Sequence, residues 1–384
     1  MTRLLSDQLT VLIPTYNRYP RLRRLLRYVR SVDLPYRVTV LDSSSDSMDL
    51  GELREGLSDR ISHVRYEPSL SPVAKLADGL RRVATPYVVV WADDDFLVPA
   101  ALGEGVRFLE EHVDYSVAHG QAGLFRVASN RESAAMQWIA PYRQPSLTQE
   151  TASERLRDHL RHYSVIAYSI HRTESMKKTM ECCRTYDFGY TWGELAGGSL
   201  SVIQGKVKQL NDLYMLRETH PGMDSWREPG QPIDVFDWVT DPMFPITYDA
   251  FRRCLAAELA RQDGISVGRA EAVVKEACWS YVATVLTVKW QAQYGRRQSQ
   301  ARDRLREAAA RLPALRQGGR RLQALLQRYR EPLSLPALLH PSSPHHADFL
   351  PIYRAITAPP SEPLPVTGSA HGVPGAMTEA AVHG

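Results

Sequence analysis

The sequence predicts an α/β fold: a mostly parallel central sheet flanked by helices, followed by a C-terminal helical region. Three observations predict it. Short apolar runs alternate with segments of helical spacing through the first third of the chain. The runs are apolar on consecutive residues, the pattern of strands covered on both faces. From about Pro245 the strand signals stop and long helical periodicities take over.

Each element has its own local reason. Leu9-Thr10-Val11-Leu12-Ile13 is a buried strand stopped by Pro14. Leu22, Leu25, Leu26 and Val29 then recur at helical spacing after Pro20, with arginines between them. Tyr36 to Leu41 and Ile61 to Tyr66 are the next two strands, and Pro72 suits the first turn of a helix reaching Val83. Tyr87-Val88-Val89-Val90-Trp91 is a fourth strand. Strand and helix in alternation imply parallel pairing. Between 127 and 150 the residues turn polar around Pro141 and Pro145, which predicts a loop or lid. Phe251, Leu255 and Leu259, then Ala270 through Trp290, predict two long helices, with Arg-rich amphipathic helices to about Arg330. Ten of the 25 prolines and only five charged residues fall in the last 54 positions, the composition of an irregular tail, although Phe349 to Ile356 could dock on the body. The expected organisation is a nucleotide-binding and catalytic domain over 1–240, a helical region over 241–330, and a largely irregular tail over 331–384.

Composition narrows the function classes. The chain has 384 residues, 43% hydrophobic and 23% charged, with a net charge of +4, which is too balanced for a nucleic-acid binder. No stretch is apolar enough to span a membrane, and Met1 to Asp7 lacks the apolar core of a signal peptide. A cytoplasmic location follows as the expectation, with Cys182, Cys183, Cys254 and Cys278 as reduced thiols.

The chemistry concentrates at strand ends. Trp91-Ala92-Asp93-Asp94-Asp95-Phe96 places three carboxylates directly after the fourth strand, where open parallel sheets bind ligands. Adjacent acids repel, and a cation relieves that repulsion; Mg²⁺ or Mn²⁺ takes one or two carboxylates plus diphosphate oxygens. A solvated acidic turn is the alternative. Pro14-Thr15-Tyr16-Asn17-Arg18 closes the first strand, and Asp42-Ser43-Ser44-Ser45-Asp46 closes the second. Asp42 can accept a hydrogen bond from a base imide or a ribose hydroxyl, or can cap a turn.

Those motifs, in that order, resemble family-2 glycosyltransferases of the GT-A type, a Rossmann-like fold. The run from Lys75-Leu76-Ala77-Asp78-Gly79 to Asp93-Asp94-Asp95-Phe96 is similar to a bacterial subgroup with an Asp-Asp-Asp-Phe motif. The resemblance covers residues 8 to 220. It implies a nucleotide-sugar donor, UDP-sugar favoured, with Pro14, Thr15, Tyr16, Arg18 and Asp42 around the base and ribose. Lys75 would approach the base or diphosphate, and Asp93 would face the ribose. Asp94, with Asp95, would hold Mn²⁺ or Mg²⁺. His220 or Arg217 would complete the metal shell or stabilise the leaving diphosphate. Glu194, with Asp187 in reserve, would be the catalytic base of an inverting transfer, and Trp192 a sugar platform or core residue. The family motif often starts one residue earlier, at Ala92 here, so the three aspartates remain alternatives for the metal. The acceptor would be a hydroxyl of a glycan, lipid-linked or small molecule, in surface polysaccharide, glycolipid or natural-product glycosylation.

Rival readings are weaker or separable. A nucleotidyltransferase needs a Gly-rich phosphate loop after the first strand, and Pro14 to Pro20 contains no glycine. A dehydrogenase needs Gly-x-Gly-x-x-Gly, which follows no strand here. A non-catalytic nucleotide or sugar-binding scaffold stands as the alternative. The arginines between Arg296 and Arg330 offer a face for an anionic membrane, a second copy, or solvent.

Overall fold

The computed structural model describes residues 5–46, 60–129, 134–186, 188–220, 235–294 and 333–358. Nine strands form one sheet: β1 (Leu9–Thr15), β2 (Arg37–Asp42), β3 (Ile61–Arg65), β4 (Tyr87–Val90), β5 (Phe96–Leu97), β6 (Tyr115–Ser129), β7 (Ala134–Tyr142), β8 (Ile170–Arg172) and β9 (Lys206–Glu218). Their order is β3-β2-β1-β4-β8-β6-β9-β5, with β7 paired to β6. β1, β2, β3, β4, β6 and β9 run one way, while β5, β7 and β8 run the other. The sheet is therefore mostly parallel, as the apolar runs predict.

Register decides where the chemistry falls. Thr15 lies opposite Asp42, and Asp42 opposite Arg65. Leu12 lies opposite Val90, so the three aspartates emerge at the level of Thr15. Carboxyl ends of β1, β2 and β4 thus form a single polar edge above an apolar sheet.

Helices cover both faces. On one side lie α1 (Tyr19–Ser31) and α3 (Pro99–Glu111); on the other lie α2 (Pro72–Arg81), α4 (Ala152–Arg161), α5 (Thr173–Tyr186) and α6 (Gly189–Gln204). α7 (Val235–Thr240), α8 (Phe244–Asp263) and α9 (Val267–Tyr294) extend that second layer. Start signals act as the chemistry requires. Ser71 accepts a hydrogen bond from the Ala74 N–H ahead of α2, and Thr151 with Glu154 forms a capping box on α4. α8 stops at Gly264, whose left-handed φ of 64° suits a residue without Cβ. Phe251, Leu255, Leu259, Val274 and Cys278 of α8 and α9 share one core with Leu12 of β1 and Leu80 of α2. The C-terminal helices are thus built onto the sheet's own core.

Two expectations require correction, the loop at 127–150 and the reduced state of all four cysteines. The loop or lid at 127–150 is instead largely a β-hairpin, β6 with β7, in which Met136 and Ile139 are buried and Arg126 lies 5.9 Å from the Trp138 ring. Pro141 is tolerated because β7 is an edge strand, so its missing N–H removes no ladder bond to a further strand. In the tail, α10 (Leu335–Leu338) is followed by α11 (His346–Thr357), which docks on the body with Phe349, Ile352 and Ile356 in the core beside α1. Burial of three large apolar side chains outweighs the proline content there. Cys182 and Cys254 are joined as a disulfide between α5 and α8, while Cys183 and Cys278 are buried free thiols. Glu194 lies in the second turn of α6, because the helix begins at Gly189. The arginines from 296 to 330 lie outside the described residues. Among the described residues no helix is long and apolar enough to cross a membrane.

Candidate active site

The polar edge is assembled by short-range turns joined through long-range bonds. Asn17 adopts the left-handed conformation, φ 54°, which asparagine tolerates better than most residues. Its N–H donates to Ser44 Oγ at 2.8 Å, and its Oδ1 accepts from the Ser45 N–H at 3.0 Å. The turns after β1 and β2 are thereby locked together. Lys75 of α2 is buried beneath them, donating to the Thr15 carbonyl and to Ser43 Oγ, each at 2.8 Å. Burial pushes the Lys75 pKa down to about 8, against the opposing pull of Asp42 and Asp93. The residue is an internal brace, not an exposed lysine.

Asp42 is fully buried and heavily donated to. It accepts from Arg65 Nη1 at 2.7 Å, Tyr19 Oη at 3.1 Å and the Ser44 N–H at 2.8 Å, with His63 Nε2 at 3.0 Å. Burial alone would raise its pKa, but the His63, Ser44 and Arg65 hydrogen bonds outweigh it and hold the carboxylate well below the usual range. Beside this group Arg65, Tyr66 and Ser45 border an open cavity of about 570 Å³, also lined by Pro68 and Leu70. Pro14 and Tyr16 are half-buried on the first-strand turn.

The acid turn divides its three carboxylates among three surroundings. Asp93 accepts from Thr15 Oγ1 at 2.7 Å and Arg18 Nη1 at 3.2 Å. Asp94 Oδ2 meets Arg18 Nη1 at 3.0 Å and His220 Nε2 at 2.9 Å. Asp95 turns away toward β9, where it accepts from the Glu218 N–H at 3.0 Å and lies 3.4 Å from Arg217 Nε. Burial and the charge of Asp94 raise the pKa of Asp93 and Asp95 despite their basic neighbours. Asp94 is lowered: burial opposes it, but the His220 hydrogen bond and the Arg18 charge prevail. Behind the turn, Arg24 donates to the Asp94 carbonyl at 3.1 Å and pairs with Glu218.

On the other flank, Arg217 lies 5.3 Å from the Tyr142 ring and 4.7 Å from the Tyr168 ring. Burial lowers the Arg217 pKa, but the charges of Asp95 and, more weakly, Glu194 raise it well above its ordinary value. Tyr163 Oη donates to Glu194 Oε1 at 3.0 Å. Trp192 is buried and stacks on Trp238 at 4.7 Å, so it packs the helical core. Asp187 lies outside the described residues.

The structure thus brings together Thr15, Arg18, Asp42, Lys75, Asp93, Asp94 and His220 along one edge, with Asp95 and Arg217 on the adjoining flank, while Glu194 of helix α6 pairs with Tyr163. Asp95 does not converge with Asp94 and His220. Reading along the chain missed Tyr19, Arg24, His63, Arg65, Tyr163 and Glu218, whose partners are distant in sequence. A basic residue opposite Asp42 in the β2–β3 register was the one signal available for Arg65.

The donor chemistry fits a divalent cation. Asp94 and His220 face each other from separate segments and supply a hard oxygen and an imidazole nitrogen, a pair suited to Mn²⁺ or Mg²⁺. Among the described residues no three His, Cys, Asp or Glu side chains form a ready metal cage. A cation bound together with a diphosphate takes its other ligands from the phosphate oxygens.

A sheet of this order, with acids gathered at its carboxyl edge and helices on both faces, defines an α/β protein with a mostly parallel sheet. Residues 10–172 match the family model described as Glycosyl transferase family 2. No curated protein matches the chain in sequence. Among solved structures the chain is similar to TarS of S. aureus, at 14% identity and a TM-score of 0.44, over 70% of this chain and 42% of that one. It therefore spans less than half of that protein. TarS 1–349 is 15% identical with a TM-score of 0.44, covering 91% of this chain and 89% of that one. The mannosyltransferase PcManGT from Pyrobaculum calidifontis, in complex with GDP-Man and Mn²⁺, is 14% identical with a TM-score of 0.38, covering 81% and 82%.

Proposed function

We propose that the protein is a divalent-metal-dependent, inverting glycosyltransferase that moves a sugar from a nucleotide sugar, a UDP-sugar by preference, to a hydroxyl acceptor. The observation that carries this reading is the meeting of Thr15, Arg18, Asp93, Asp94 and His220 at the carboxyl edge of the sheet, with Asp94 and His220 2.9 Å apart.

In this reading the base and ribose lie along Pro14, Thr15, Tyr16 and Asp42, with Arg65 bordering the adjoining cavity. Lys75 fixes the β1 and β2 turns that form the wall. Asp94 and His220 would hold Mn²⁺ or Mg²⁺, which when bound supplies charge neutralisation at the diphosphate. Arg18 and Arg217 add positive charge on either side of the acid turn, where negative charge grows as the diphosphate departs. Glu194 takes the proton from the acceptor hydroxyl. The acceptor oxygen bonds to the anomeric carbon while the carbon–oxygen bond to the diphosphate breaks, its electron pair leaving with the phosphate oxygen. Attack opposite the leaving group inverts the configuration. Surface polysaccharide, glycolipid and natural-product glycosylation all present such hydroxyls.

A hydrolysis screen tests this without knowledge of the acceptor. UDP-, GDP- and dTDP-sugars are incubated with Mn²⁺, and release of the nucleoside diphosphate is followed. The expected outcome is slow, EDTA-sensitive release from a UDP-sugar. Absence of release from every donor, together with absent UDP binding by calorimetry, would overturn the proposal.

A further inference from the structure

We infer that Tyr163 is a positioning residue for Glu194, holding its carboxylate in the orientation from which it accepts the acceptor's proton. The inference rests on the reading of Glu194 as the base and extends it to a residue that does not itself touch substrate.

The geometry is local and specific. Tyr163 lies two residues beyond the end of α4, and Glu194 in the second turn of α6. The phenol donates to Glu194 Oε1 at 3.0 Å. A carboxylate on a two-carbon stem rotates about its last bond, and anchoring one oxygen fixes the plane of the other. The phenol ring is itself held: His159 lies 5.3 Å away on one side, and Tyr281 of α9 packs edge-on at 5.3 Å and 71° on the other. Helix α9 thereby braces the Tyr163–Glu194 pair.

The charge environment is consistent with a donor role. Among the described residues, groups whose charges act together with Glu194 include Tyr163, Tyr281 and Arg217, from the segment after α4, from α9 and from β9. Burial, then the Glu194 charge, keeps the Tyr163 phenol protonated well above its ordinary range, so it donates at any working pH. A hydrogen bond given to the ionised form of a carboxyl lowers its pKa. Tyr163 therefore tunes the base as well as aiming it.

The test uses the full-length chain with ¹³C-labelled glutamate carboxyls, followed by NMR through a pH titration, with Glu194→Gln assigning the Glu194 signal. In Tyr163→Phe, which keeps the ring, the Glu194 midpoint should rise by about half a pH unit or more. Site-specific 3-fluorotyrosine at 163, a stronger donor of unchanged shape, should move the midpoint the other way. With UDP-glucose or UDP-N-acetylglucosamine and Mn²⁺, the Tyr163→Phe hydrolysis kcat should fall about 10-fold while the UDP Kd is unchanged. An unmoved midpoint in both Tyr163 variants overturns the inference, whatever the kinetics. If the midpoint moves but Glu194→Gln hydrolyses donor at the wild-type rate, the base assignment fails and the positioning role falls with it. If Glu194→Gln is slow and neither Tyr163 variant moves the midpoint, only the inference falls.

Discussion

Two groups of carboxylates stand at the same edge of the sheet and are treated in opposite ways. Asp42 is surrounded by Arg65, Tyr19, His63 and the Ser44 N–H, and its ionised form is strongly preferred. The Asp93–Asp95 turn crowds three acids within one bend, and burial with mutual repulsion raises two of them despite Arg18 and Arg217. Burial is comparable in the two places; the donor supply is not. A saturated carboxylate is a fixed element of the wall. An under-neutralised cluster is one that a further cation would stabilise, which is the property a metal–diphosphate site requires.

The strongest way to break this comparison is to remove the central acid. Asp94→Ala should lower donor turnover by about 10³-fold or more, and it should abolish the rise in melting temperature that Mn²⁺ is expected to give the wild type. A variant that keeps full turnover and its Mn²⁺-dependent stabilisation would show that the turn is merely a tight acidic bend. Next in size is the base: Glu194→Gln should reduce kcat by about 10²-fold with UDP affinity nearly intact. Lost UDP binding there would give the residue a donor-binding role instead.

Asp42 sharpens the contrast through stability. Its folded pKa lies below its ordinary value of 3.8, so its contribution is fully present above that pH and is lost as pH falls toward the folded value. Asp42→Asn should therefore cost about 3 kcal/mol at neutral pH and flatten the acid limb of the unfolding profile in chemical denaturation. An unchanged limb would mean that the Arg65 and His63 contacts contribute nothing in solution. The smallest effect belongs to Lys75. Its pKa is about 8 in the fold and 10.5 as the ordinary value, so between these the unfolded chain binds more protons and stability rises with pH. Lys75→Met should lack that rise, seen as a wild-type-minus-variant difference of about 1 kcal/mol or more across the window.

Much of this contrast is legible in the order of the residues. β1 and β4 are continuous apolar runs whose ends are marked by Pro14 and by the acids, so both the parallel sheet and the reactive edge follow from the chain itself. The acid turn is legible because its position after a buried strand carries meaning that the residues alone do not. The β6–β7 hairpin is not, since Pro141 and the polar residues around it imitate a loop until an edge position is known. Partners across large separations are also hidden: Arg65 reaches Asp42 over 23 residues, Tyr163 reaches Glu194 over 31, and Arg24 reaches Glu218 over 194. No periodicity encodes such pairings, because they arise from how strand register and helix layers bring distant segments together. Trp192, open in the sequence between a sugar platform and a core residue, is the latter: its indole packs against Trp238.

The docking of α11 carries a practical corollary. Phe349, Ile352 and Ile356 sit with Leu22, Leu25 and Val29 in one apolar layer under the strands that present Thr15 and the aspartates. An expression plasmid shortened to end near residue 294, as the proline-rich composition invites, would strip that layer and leave α1 greasy and uncovered. Biochemists trimming this protein for crystallisation should keep the chain through Thr357.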